Sequence, residues 1–180
     1  TLDGTLFPYT TLFRSLTVSF DEPHGPFLCP RKYVDMYENF EFPKTENVWE
    51  KLEGKPEYQR VWADKRLERD ADALKIKNPA YFGCNTFVDY EIGRVLDAIE
   101  TYAPDATVIY TSDHGMHMEN HALVDKGATA YDENIRIPFI VKGPEIPAGS
   151  VNTHPISHIN ITPTLLELFE APCPPVIDAV

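Results

Sequence analysis

The chain has 180 residues, of which 43% are hydrophobic, enough for one domain with its own core. Its net charge of −12 disfavours nucleic acid and anionic membranes as partners, and no apolar run approaches the length of a membrane span. The cysteines at positions 29, 84 and 173 are odd in number and form no C-x-x-C pair, which argues against a disulfide framework and a zinc ribbon.

The first 15 residues lack a clear hydrophobic period, and the stretch LFPYTTLFRS at residues 6–15 resembles a translated sequencing adaptor. We therefore predict that residues 1–15 are a non-native leader and that the domain occupies residues 16–180. The alternative is an ordinary irregular leader. An in-frame genomic copy of these residues would contradict the prediction.

Residues 16–20 alternate and are rich in strand-forming side chains, which predicts a strand. It runs into a loop at residues 21–27 that contains two prolines, a glycine and His24. Taken alone, a loop histidine is more often a surface residue than a catalytic one. Residues 30–37 predict a short helix, whereas residues 39–73 are polar and indicate an excursion over the surface, either a lid or padding.

Asn78 and Pro79 predict the start of a long helix, with Asn as N-cap and Pro at the first helical position. Apolar side chains then recur at spacings of three and four, which indicates one packed stripe, and Pro104 ends the helix. The stripe consists of Tyr81, Cys84, Val88, Ile92, Val95 and Ile99. Because Cys84 lies on it, we expect this thiol to pack in the core.

Residues 107–111 form a short apolar run, which predicts a strand buried on both faces of a parallel sheet. The run ends in Ser112, Asp113, His114 and Gly115. Ligands bind beyond the carboxyl ends of strands in open α/β sheets, so these residues stand where a metal or anion site would be built. An isolated S-D-H-G is otherwise a capped turn.

The remaining segments continue the α/β alternation. Residues 116–130 predict an irregular loop with His117, His121 and Lys126, and residues 135–141 predict a strand with Pro138 near its start. Thr162 predicts the N-cap of a last helix that begins with Pro163.

Six segments, in this order, resemble the C-terminal part of a sulfatase catalytic domain of the alkaline-phosphatase-like superfamily. They are SFDEPHGPF at 19–27, FVDYEIGRVLDAIE at 87–100, TVIYTSDHG at 107–115, ALVDKG at 122–127, YDENIRIPFIVKGP at 131–144 and HINITPTLLELF at 158–169. The resemblance implies an α/β three-layer sandwich with a mostly parallel sheet, truncated at its N-terminus. It also implies hydrolysis of a small-molecule or carbohydrate sulfate ester.

The resemblance assigns Asp113 and His114 to the pair that holds one divalent cation, usually calcium. A carboxylate and an imidazole suit that role, although histidine at the second position also suits Mn²⁺ or Zn²⁺. Lys126 matches the lysine that contacts the sulfate, and His24 matches a histidine that faces the substrate and protonates the leaving alkoxide. His121 receives a lower weight, while His117, His154 and His158 are expected to be structural or surface residues.

The family's nucleophile is absent from this sequence. It is a formylglycine made from a Cys or Ser in a C/S-x-P-x-R motif, and Cys29-Pro30-Arg31 has neither the spacing nor the position. We therefore expect a fragment that carries half of the active site and has no turnover by itself. The alternatives are a phosphonate monoester or phosphodiester hydrolase of the same superfamily, or a non-catalytic homologue.

Overall fold

A computed structural model of the chain describes residues 15–67 and 78–174. The larger of two compact units is Phe20–Ala148, and the described part of the smaller one comprises residues 15–19 and 149–174. The predicted leader lies outside the described residues, apart from Ser15. Within the described ranges, no helix is both long and apolar enough to cross a membrane.

The long helix predicted after Asn78 is confirmed. Helix α1 is Arg31–Asp35, α2 is Glu57–Leu67, and α3 is Pro79–Tyr102. The Asn78 side chain accepts a hydrogen bond from the Tyr81 amide at 3.1 Å, and α3 ends before Pro104.

Burial, with a smaller contribution from the Cys29 thiol, raises the pKa of Cys84 to about 12, consistent with a packing role.

Helix α1 packs closely on the N-terminal half of α3. A Cβ added at Gly83 would lie 2.9 Å from the Val34 amide nitrogen, so only glycine allows this approach. The Tyr33 and Phe87 rings reinforce the contact, with centroids 5.4 Å apart. This packing fixes the chain that immediately follows the His24 loop.

The prediction that residues 39–73 lie over the surface fits most of the described positions but is wrong at a few of them. A 3₁₀ turn at Glu46–Trp49 and helix α2 bring Val48, Leu52 and Ala63 into buried positions. Leu52 and Ala63 form one apolar cluster with Ala122 and Leu123. The apolar residues here follow no sustained helical period, so pattern reasoning missed a packing that depends on a distant loop. Residues 68–73 lie outside the described residues.

The described residues contain one two-stranded sheet. Strand β1 is Val108–Thr111 and β2 is Phe139–Lys142. They pair antiparallel, with Val108 opposite Lys142 and Thr111 opposite Phe139. The mostly parallel sheet is therefore not confirmed, and residues 16–20 form no strand because no described neighbour pairs with them.

The strands also differ from expectation in burial and length. Tyr110 and the opposing Ile140 are 42% and 60% exposed, so β1 is not buried on both faces. Part of the strand predicted at 135–141 instead belongs to helix α4, Asp132–Ile135. Strand β2 begins only after Pro138, which lacks the N–H that a ladder needs.

In the smaller unit, a 3₁₀ turn at His158–Asn160 precedes helix α5, Ile161–Leu168. The predicted N-cap at Thr162 is wrong, because Thr162 lies inside the helix. Ser157 and Asn160 instead cap the 3₁₀ turn reciprocally, and the Ser157 amide donates to Asn160 Oδ1 at 2.9 Å.

Candidate active site

The chain turns sharply where β1 ends, and this turn carries Asp113 and His114. The Ser112 hydroxyl donates to the His114 carbonyl at 3.0 Å. The His114 amide donates to Asp113 Oδ1 at 2.8 Å. These local bonds hold both side chains at the strand end, where the sequence predicted them.

Gly115 fastens this turn to α4. Its amide donates to the Asn134 carbonyl at 2.8 Å. A Cβ on Gly115 would overlap the Glu133 carbonyl oxygen and lie 3.1 Å from the Glu133 carbonyl carbon. Only glycine allows the two backbones to come this close.

Asp113 and His114 fit one cation by their donor chemistry. Asp113 Oδ2 lies 3.3 Å from His114 Nε2, and the Asp113 side chain is 81% exposed. His114 Nδ1 lies 2.9 Å from the Gly115 carbonyl and can donate to it, which leaves the Nε2 lone pair for a metal. Among the described residues, no group of three or more His, Cys, Asp or Glu side chains is arranged to hold a metal. Asp113 and His114 are therefore two candidate ligands without a third in this part of the chain.

The Asp113 carboxyl is held in its charged form. Partial burial acts to raise its pKa, but the His114 amide, the His114 charge and the Ser112 hydroxyl together outweigh that effect. The pKa of Asp113 therefore lies below its usual value of 3.8. An ionised carboxylate at neutral pH is the form that binds a hard cation.

His24 and Lys126 line one pocket of about 400 Å³, although they are far apart in the sequence. His24 Nδ1 lies 2.7 Å from the Gly25 carbonyl, and Lys126 Nζ lies 3.8 Å from Asp125 Oδ1. The other lining residues are Gly25, Phe27, Asn78, Met116, Met118, Glu119, Val124 and Asp125. Asp113 and His114 are not among them, so the structure joins the four predicted residues as two pairs.

The loop that carries His24 does not follow a strand as predicted, because residues 16–20 form no strand. His24 instead follows a turn in which its amide donates to the Asp21 carbonyl at 2.9 Å. Phe27 then packs on Tyr81 of α3, with ring centroids 5.4 Å apart. Packing against α3 anchors the His24 loop.

His117 is a structural residue, one of the two roles expected for it. It is 0% exposed, and its Nε2 lies 2.9 Å from the Thr129 hydroxyl. The rings of Trp62 and Tyr131 pack edge-to-face with the His117 ring, at centroid distances of 5.5 and 5.9 Å. Burial lowers the pKa of His117 below its usual value of 6.5.

The buried His117 makes folding stability depend on pH. Once unfolded, the imidazole takes up a proton below about pH 6.5, whereas the folded state resists protonation. The contribution of the neutral His117 ring to folding stability is therefore intact above that pH. It is lost as the pH falls from 6.5 toward the lower pKa of the folded state. Urea unfolding of wild type and H117Q at pH 7.5 and 5.0 checks this. We expect a smaller pH difference in H117Q, and equal differences would contradict the assignment.

His121 lies in a contact network that pattern reasoning missed. Its Nδ1 lies 2.5 Å from Glu50 Oε2, and its Nε2 lies 3.4 Å from Glu133 Oε2. Its ring stacks on Tyr131, with centroids 3.7 Å apart. Glu50 is far away in the sequence, and no local spacing signals the contact.

Comparison with known proteins gives one consistent family. Residues 14–171 match the family model described as Sulfatase. The chain is 41% identical over 163 residues to the uncharacterised sulfatase YidJ of Escherichia coli (strain K12), covering 90% of this chain and 33% of that protein. It is 30% identical to an arylsulfatase of Clostridium perfringens, covering 92% and 36%. The similarity to a choline-sulfatase of Rhizobium meliloti is 29%, covering 85% and 31%.

Two solved structures share the fold. A candidate sulfatase, yidJ, from Bacteroides fragilis superposes with a TM-score of 0.62 at 24% identity, covering 88% of this chain and 33% of that one. A protein solved with its substrate D-glucosamine-2-N,6-O-disulfate gives a TM-score of 0.71 at 20% identity, covering 89% and 45%. The chain spans about a third of the length of the curated relatives it matches.

Proposed function

The chain belongs to the sulfatase family, and we propose that the whole protein hydrolyses sulfate esters. One observation carries the proposal: the fold brings His24 and Lys126, the two residues that the family motifs assign to the substrate, into a single pocket. We also propose that the complete domain is a three-layer sandwich with a mostly parallel sheet. Its likeness to the two solved structures supports an alkaline-phosphatase-like fold.

We propose that Asp113 and His114 hold one divalent cation. The low pKa of Asp113 and the hydrogen-bonded Nδ1 of His114 support that role, because both leave a donor atom ready for a metal. Calcium is the first candidate, with Mn²⁺ or Zn²⁺ as alternatives that an imidazole ligand would suit. When bound, such a cation would supply positive charge that stabilises the negative charge developing during ester hydrolysis.

Lys126 is assigned to bind the sulfate group. Its ammonium neutralises charge on the ester oxygens and becomes more favourable as charge builds up on the leaving oxygen. Its side chain is only 25% exposed, so less water screens that interaction than at an open surface. Asp125, 3.8 Å from Nζ, restrains the ammonium at the pocket wall.

His24 is assigned to protonate the leaving alkoxide. Donation from Nδ1 to the Gly25 carbonyl fixes the ring and leaves Nε2 as the atom that delivers the proton. The attacking oxygen would come from a formylglycine formed outside the present sequence. Phe27, Met116 and Met118 give the pocket apolar walls against which the alcohol part of an ester can pack.

The alcohol part is proposed to be a small molecule or a carbohydrate. Among the proteins similar to this chain are a choline-sulfatase, an arylsulfatase and a protein solved with a disulfated glucosamine. These span both classes, and all share the sulfate ester. The proposal therefore commits to the ester and leaves the alcohol to a substrate screen.

A paired-substrate assay tests the function. The full-length protein is offered an aryl sulfate and the matching aryl phosphonate monoester at equal concentrations. We expect kcat/KM for the sulfate to exceed that for the phosphonate by at least about 100-fold, since the site is built to stabilise sulfuryl transfer. A preference for the phosphonate would establish the related hydrolase activity instead. Turnover of neither by a folded protein would indicate a non-catalytic homologue.

A further inference from the structure

The loop before Lys126 has an unusual backbone. Five non-glycine residues between positions 118 and 125 adopt left-handed conformations, with φ between 48° and 72°. They are Met118, Glu119, His121, Ala122 and Asp125. Such conformations are costly for residues with side chains and persist only where surrounding contacts hold them. Because this loop supplies pocket residues as well as Lys126, its contacts decide where the lysine lies.

His121 supplies the central contact of this loop. It bonds Glu50 of the segment at residues 44–63 through Nδ1, at 2.5 Å. On the other side of the ring, its Nε2 lies 3.4 Å from Glu133 Oε2. The Glu50 carboxylate restrains one edge of the ring, and the Asn47 side-chain nitrogen, 3.2 Å from Nε2, restrains the other edge together with Glu133. Stacking on Tyr131 restrains the face of the ring.

Both partners of His121 lead to other parts of the proposed site. Glu133 is the residue whose backbone packs directly on Gly115, beside Asp113 and His114. Glu50 belongs to the same segment as Trp62, whose ring would lie 2.8 Å from a Cβ on Gly127. His121 therefore contacts Glu133, next to the turn proposed to hold the cation, and Glu50, in the segment whose Trp62 packs on Gly127.

We propose that His121 is a positioning residue that fixes Lys126 relative to the Asp113–His114 turn, acting through Glu50 on one side and Glu133 on the other. The proposal rests on the proposed sulfatase function, because Lys126 has a role to be positioned for only in that reaction. Residues 44–63 then support the loop at residues 116–130, which carries Lys126. Histidine suits this place because it tolerates left-handed backbone and carries a polar nitrogen on each edge of its ring.

The test uses His121→Asn and Glu50→Gln in the full-length protein. Asparagine tolerates left-handed backbone but is too short to reach both Glu50 and Glu133. The change therefore removes this clamp between the two carboxylates without adding backbone strain. Glu50→Gln keeps the shape and removes the charge. Glu53→Gln, at an exposed site on the same segment, is the matched control. Each variant is made with Lys126 intact and in a Lys126→Ala background.

We expect His121→Asn and Glu50→Gln to lower kcat/KM for an aryl sulfate by about 10- to 100-fold when Lys126 is present. In the Lys126→Ala background the same changes should cost less than about threefold, since the group they position is gone. Glu53→Gln should match the wild type in both backgrounds.

Three results would overturn the proposal. Equal losses in both backgrounds would show a general structural role, and no loss in either would show that the clamp is dispensable. If the wild type does not release sulfate, the proposed function fails first and the positioning role fails with it. A wild type that is active but gives equal losses leaves the function standing, so the two failures are distinguishable.

Discussion

Asp113→Ala in the full-length protein is expected to abolish metal-dependent turnover, with a loss in kcat/KM of more than about 100-fold. The Asp113 carboxylate is exposed at the end of β1, ionised, and 3.3 Å from Nε2 of His114, the second proposed ligand. Alanine removes the negative charge that is proposed to hold a hard cation. Turnover against cation concentration, together with metal content, measures the effect.

Asp105→Ala is the matched control for this prediction. Asp105 is an exposed aspartate before the opposite end of β1, so its loss changes the net charge equally without touching the turn. It should keep wild-type activity and wild-type metal content. Near-native activity of Asp113→Ala with its metal still bound would contradict the assignment of this carboxylate.

Among the glycines that the structure describes, Gly115 is the one where a change to Ala is expected to be most damaging. The added Cβ would overlap the Glu133 carbonyl oxygen, and the next nearest atoms, the Glu133 carbonyl carbon and Asn134 Cα, are also backbone. No side chain can rotate away, so the Asp113–His114 turn or α4 must move. We expect a loss of stability on the order of 3 kcal/mol and weaker cation binding, because the two ligands move with the turn.

Urea unfolding and metal titration of the full-length protein check this prediction. Gly93→Ala is the control: Gly93 lies within α3 with no heavy atom within 4 Å of an added Cβ. Alanine there should be neutral or stabilising by about 0.5 kcal/mol. If Gly115→Ala folds and binds metal as well as Gly93→Ala does, the close approach to Glu133 is not needed.

The features predicted best from the sequence are those with local causes. Helix α3 carries its own start signal in Asn78 and Pro79 and its stop in Pro104, and its stripe placed Cys84 in the core. Those signals act within a few residues, so they can be read without knowing the fold. The short helix predicted at residues 30–37 is also present, as α1.

Features that depend on distant partners were missed. Strand β1 pairs with β2 in antiparallel register, and an apolar run alone does not specify its neighbour. The burial of Leu52 requires Leu123, which lies on a loop with no periodic pattern. Residues 39–73 therefore looked like surface, although Leu52 and Ala63 pack against Ala122 and Leu123.

The candidate site divides in the same way. His24, Asp113, His114 and Lys126 were predicted from short motifs, and the structure groups them as two pairs. The sequence gives His121 a lower weight than these four, and its contact with Glu50, 71 positions away, leaves no local signal. The sequence identifies the groups that would perform the chemistry, whereas only the fold shows which groups would hold them in place.

The most direct measurement is the rate of sulfate release from an aryl sulfate by the full-length protein, compared between wild type and Asp113→Ala before chelation, after it, and after a divalent cation is restored. We predict that wild-type release stops on chelation and returns with the cation, while Asp113→Ala stays inactive throughout. Sulfate release at the wild-type rate by Asp113→Ala, or wild-type release that persists in metal-free protein, would contradict a metal-dependent sulfatase built on this turn.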